Sequence, residues 1–144
     1  MADVFLTYAQ EDVERAGAIA AALEAEGWSV FWERSRIPLG RPFDEYLSQE
    51  LRQCRAVVVL WSLHSVRSDW VRVEATHARE RKPSVLIPVQ IGPTYLPSGF
   101  QHLATPDLST WKLGQRGVEF ELLITAVDKL VRRRDAGQPA ASQL

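Results

Sequence analysis

Apolar residues in this chain fall in short consecutive runs rather than in alternation, and that feature restricts the fold more than any other. Val4 to Tyr8, Trp28 to Trp32, Ala56 to Trp61 and Val85 to Ile91 each read as a strand that is apolar on both faces. Such a strand has to be covered on both sides, as strands of a parallel sheet are. Thr105 to Leu108 offers a weaker fifth, shortened by Pro106, which has no N–H for a ladder. Helical patterns lie between the runs. Val13, Ala16, Ala20 and Leu23 recur at three- and four-residue spacing, and Gly27 supplies a natural stop. Phe43, Leu47 and Leu51 make a second stripe, and Val71, Ala75 and Ala78 a third. Val118, Leu122, Ala126 and Leu130 make the last. Strands alternating with helices, joined by right-handed crossovers, predict a flavodoxin-like, doubly wound α/β domain with helices on both faces of a parallel sheet.

A chain of 144 residues holds one such domain and is short for two. The patterned segments occupy residues 1–134. Residues 135–144 are mostly small and polar, include Gly137 and Pro139, and read as a disordered tail or linker. A formal net charge of −1 gives no electrostatic case for nucleic acid or an anionic membrane as partner. Cys54 is the only cysteine, so no internal disulfide can form and a reducing compartment is favoured. No segment approaches the ~20 apolar residues of a membrane span. Met1-Ala2-Asp3 leads straight into the first strand without a signal-peptide layout. The expected compartment is the cytoplasm.

Ligands of open α/β sheets bind beyond the carboxyl ends of the strands, near the point where strand order reverses. Three loops qualify: Ala9 to Asp12, Glu33 to Pro42, and Ser62 to Asp69. The first lacks the glycines of a dinucleotide fingerprint, and the chain has no Walker-type phosphate loop. A two-component receiver needs an aspartate ending its third strand, where Trp61-Ser62 stands here. His64, His77 and His102 fit no metal spacing, and no Gly-x-Ser-x-Gly elbow occurs. Glu74 stands out among the carboxylates. It shares a helix face with Trp70 and His77, at the edge of the apolar stripe Val71-Ala75-Ala78. A carboxylate beside an indole near a strand-end crevice makes a low-dielectric site.

These residues resemble a known family. Val4-Phe5-Leu6-Thr7-Tyr8 followed by Glu11-Asp12 resembles the opening motif of TIR (Toll/interleukin-1 receptor) domains. Trp28 to Trp32, Arg36 to Gly40 and Phe43 are similar to the family's second strand and BB loop. Arg55 to Ser62, then Ser68-Asp69-Trp70-Val71 and Glu74, are similar to the third strand and following helix, whose Trp-x-x-x-Glu pattern carries the family's catalytic glutamate. Val85 to Ile91 and Asp107 to Trp111 resemble the later strands, so the likeness spans about residues 2 to 132.

The resemblance implies five parallel strands, self-assembly through TIR–TIR contacts at the BB loop, and in many members NAD+ cleavage, with roles in signalling or anti-phage and immune defence. Other members are non-catalytic interaction modules. On the enzymatic reading Glu74 is catalytic, and Thr7, Tyr8, Ala9, Glu33, Arg36, Gly40, Phe43 and Trp70 surround the nucleotide. NAD+ is then the substrate, and neither a separate cofactor nor a metal is needed. The chain departs from the family at Thr7, where Ser is usual, and at Ala9 and Gln10, where some active members have basic or hydroxyl residues. It departs also at Glu33, where Asp is commoner, and at Pro38, where some active members carry Glu. A nucleoside-processing enzyme on a related fold, such as a deoxyribosyltransferase, would also set a carboxylate at an anomeric carbon.

Overall fold

The computed structural model describes residues 2–32 and 43–142, with the side chains of 43, 44 and 134–142 outside that description. Four strands, β1 (Val4–Thr7), β2 (Val30–Phe31), β3 (Ala56–Trp61) and β4 (Leu86–Gln90), pair in parallel in the order β2-β1-β3-β4. The connecting helices are α1 (Val13–Ala25), α2 (Phe43–Gln53) and α3 (Asp69–Glu80), and α4 (Val118–Ser142) closes the chain. Winding runs from β1 outward to β2, then returns across β1 to β3 and β4. The topological switch point therefore lies between β1 and β3.

Both faces of the sheet are buried, as the consecutive apolar runs require. On one face Val4, Leu6, Val58, Leu60 and Val89 pack against Ile19, Leu23, Leu123 and Val127 of α1 and α4. On the other, Phe5, Val57, Val59 and Trp61 pack against Leu47 and Leu51 of α2 and Val71, Ala75 and Ala78 of α3. Gly27, at φ +100°, ends α1 in a conformation that a side chain would strain.

Three elements differ from the sequence expectation. The second strand contracts to two residues on the sheet edge. Ahead of it, Ser29 turns its N–H and hydroxyl to Asp3, the N–H donating to the carboxylate at 3.1 Å and the Oγ accepting from Asp3 N at 2.9 Å. The fifth strand shrinks to a single parallel bridge, Gln90 to Asp107, beside Pro106. In α4 the buried stripe is Phe120, Leu123, Ile124, Val127 and Val131, while Val118 and Leu122 are 78% and 53% exposed. Both stripes have helical spacing. Phe120 selects the phase by stacking on Trp111 at 5.2 Å. The backbone of α4 runs to Ser142.

Cys54 illustrates how this core treats a titratable group. It is buried between α2 and β3, its thiol donating to Leu51 O at 3.4 Å. Burial pushes the thiol up to about 11, against the lowering effect of the nearby Arg81 guanidinium. The stability gained by burying the neutral thiol is complete below the unfolded-state value, about 8.5, and is lost as pH rises through about 11. Native protein at pH 8 should react with iodoacetamide about 100-fold more slowly than unfolded protein. Equal rates, measured by mass spectrometry, would contradict the burial.

Candidate functional site

Alternation along β1 decides where its last side chains go. Leu6 and Tyr8 face α1 and α4, so Thr7 shares the opposite face with Phe5, toward α2 and α3. Helix α3 begins where Ser68 caps it, its Oγ accepting from Val71 N at 3.4 Å. Val71, Glu74, Ala75 and Ala78 form its buried stripe. Glu74 therefore turns inward against the end of β1. Thr7 Oγ1 donates to Glu74 Oε1 at 2.6 Å, with Thr7 fully buried and Glu74 6% exposed. A hydroxyl donating to a carboxylate at this distance is a charge-assisted bond, stronger than a neutral one.

The face expected to unite Trp70, Glu74 and His77 is thereby split. His77 is exposed and Trp70 is 37% exposed, whereas Glu74 lies within the buried stripe. The sequence placed Glu74 at the margin of the apolar stripe; the bond to Thr7 draws it inside. A cleft of about 460 Å³ opens beside it between α2 and α3, lined by Leu47, Leu51, Asp69, Trp70, Val73 and Glu74. A second cleft, of about 470 Å³, lies at the carboxyl ends of β1 and β3, with Ala9, Gln10, Glu11, His64, Arg67 and Trp70 among its walls. Trp70 belongs to both.

The other expected site residues divide. Ala9 lines the second cleft. Tyr8 is buried on the opposite side of the sheet, where its hydroxyl donates to Trp32 O at 2.8 Å and steadies the chain leaving β2. Its position is beneath the site rather than in either cleft. A Cβ at Gly17 would lie 3.2 Å from the Trp32 ring, close enough that the ring would have to give by a few tenths of an ångström. Glu33, Arg36 and Gly40 lie outside the described residues, as does the side chain of Phe43.

The sequence marked the loop after β3 but no residue within it. Here Ser62 Oγ accepts from His64 N and Ser65 N, each at 3.1 Å, and donates to the Asp12 carboxylate. Ser65 Oγ donates to Leu60 O at 2.7 Å and accepts from Ser62 N at 2.7 Å. The Ser-x-x-Ser spacing at the end of an apolar run is the signal that could have shown it, because serines there satisfy backbone groups the strand leaves open.

A family model for the TIR domain matches residues 4–124. The fold is similar to that of the TIR domain of the Toll-related receptor TRR-2 from Hydra magnipapillata, at TM-score 0.74 and 19% identity, covering 89% of this chain and 99% of that one. It is similar also to a TIR-STING receptor from C. gigas, solved in complex with 2′,3′-cGAMP, at TM-score 0.70 and 18% identity, covering 88% of this chain and 39% of the other. The TIR domains of the activated Roq1 resistosome, which recognises the pathogen effector XopQ, match at TM-score 0.55 and 24% identity, covering 62% of this chain and 57% of theirs. No curated protein matches. No helix among the described residues is long and apolar enough to cross a membrane.

Proposed function

The chain belongs to the TIR domain family, and from that premise we propose that it cleaves NAD+ at the nicotinamide–ribose bond, releasing nicotinamide and ADP-ribose or its cyclic form. The observation that carries this reading is the carboxylate of Glu74, set at the switch point, bonded to Thr7 and bordering a cleft. Nicotinamide leaves as a neutral molecule, so its departure needs no strong acid. Positive charge grows instead on the ribose, as in glycoside hydrolysis. A carboxylate already oriented and partly withdrawn from water stabilises that charge without reorganising. Trp70 walls the same cleft and limits the water around it.

The assay is incubation with NAD+ and, separately, with nucleosides, followed by separation of products. Free nicotinamide supports the reading. Base release from nucleosides alone would point to a nucleoside-processing enzyme. No turnover of either would point to an interaction module.

Self-assembly belongs to the same proposal. Roq1 TIR domains occur in an assembled resistosome, and the BB-loop segment of this chain lies outside the described residues. If a second copy completes the site through that loop, turnover per mole of protein rises with concentration and follows oligomer formation by light scattering. Constant, substantial turnover in monomeric samples would refute the composite site and leave Glu74 untouched. The same proposal includes a role in cytoplasmic immune or anti-phage signalling, as the family resemblance implies.

A further inference from the structure

The second cleft holds a cation that the proposed bond cleavage does not use. Arg67 is exposed on its wall, and its guanidinium makes no hydrogen bond or ion pair with the described residues. Two acids lie near it, one two residues along the chain and one on the wall of the same cleft. Asp69 pairs with Arg72, and Glu11 faces His64, with Oε2 3.9 Å from Nδ1. Ala9 and Gln10 bring no charge to their side of the cleft, and Glu11 beside them is the one acid in its lining.

The backbone that carries Arg67 is fixed. It ends the short 3-10 turn Ser65–Arg67, with Val66 N donating to Ser62 O at 3.1 Å and Arg67 N to His64 O at 3.2 Å. The Ser62–Ser65–Asp12 network pins that turn to β3 and to the start of α1. A guanidinium on a preset base, facing a cleft and without a partner among the described residues, suits an anion that offers paired oxygens, as a phosphate does. Trp70 forms the boundary between this cleft and the one at Glu74, so one elongated ligand can occupy both.

We propose that Arg67 anchors the diphosphate of a dinucleotide whose nicotinamide ribose lies at Glu74. This rests on the reading of the preceding subsection and adds to it a preference for diphosphate-bearing nucleotides over nucleosides. The bulk of the ligand crosses the indole of Trp70, and the charge is taken up at the end of β3.

The test is calorimetric titration of the whole chain with ADP-ribose and with nicotinamide riboside, beside NAD+ kinetics. Arg67→Ala should weaken ADP-ribose about tenfold, the usual scale of one charge-assisted contact, and leave nicotinamide riboside unchanged. Arg67→Lys should fall between, and added salt should weaken wild-type binding more than that of Arg67→Ala. In NAD+ turnover the loss should fall on KM. Arg132→Ala, which removes an exposed arginine of α4, serves as control. Wild-type turnover with ADP-ribose binding indifferent to Arg67 overturns the anchor and spares the proposed activity. Arg67-dependent binding without turnover supports the anchor and overturns the activity. Failure of the wild type to bind ADP-ribose overturns the anchor directly.

Discussion

Glu74→Gln should reduce nicotinamide release from NAD+ by two to three orders of magnitude, a loss of about 3 kcal/mol in transition-state stabilisation. The substitution keeps the shape of the side chain, and the amide oxygen can still accept from Thr7. What disappears is the negative charge. A neutral amide binds the ground state nearly as well, because the ribose of bound NAD+ presents hydroxyls that an amide also satisfies. It has little to offer an oxocarbenium-like ribose. The loss should therefore appear in kcat, with KM changed much less. Since Glu74 is buried on α3 beside Val71 and Ala75, the fold must be checked in the same samples. Circular dichroism and a melting temperature within a few degrees of wild type establish it. Equal nicotinamide release by two folded proteins would remove Glu74 from the chemistry and move the search to another group of the chain.

The sequence made the layers of this fold legible and left their edges obscure. Runs such as Ala56 to Trp61 read as buried strands, and β3 occupies those same residues. The limits of β2 were hidden because an edge strand is set by what pairs with it, here the Asp3–Ser29 hydrogen bonds, and not by its own hydrophobicity. The phase of α4 was hidden because the helix is apolar on two faces, and a stacking contact with Trp111 made the choice. The site shows the same division. Glu74 was legible from its spacing to Trp70 and from the Trp-x-x-x-Glu pattern. That Thr7 would meet it was not, because a hydroxyl within an apolar strand run carries no sign of its partner. Thr7 had been expected against the nucleotide, but it is fully buried and reaches Glu74 instead. The polar loop Ser62–Ser65 left only its Ser-x-x-Ser spacing as a sign, since most of its bonds close on backbone groups that the sequence does not display.

Thr7→Val carries the second large effect, and it separates positioning from chemistry. Valine is close to threonine in shape, so the buried volume beside α3 is preserved while the donor to Glu74 is lost. Removing a hydrogen bond to a charged group costs about 1.5–3 kcal/mol, which predicts a fall in kcat of about 10- to 100-fold. Thr7→Ser keeps the hydroxyl and should recover most of that rate, although a small cavity lowers its stability. A purely structural role for Thr7 predicts the opposite ranking, because serine leaves the cavity and valine does not. The sharper measurement is a double-mutant cycle with Glu74→Gln. If the hydroxyl acts through the carboxylate, Thr7→Val costs little once the charge at 74 is gone, and the two losses fall well short of additive. Fully additive losses would mean that Thr7 supports activity by a route independent of Glu74. The 2.6 Å bond between them would then be a feature of packing alone.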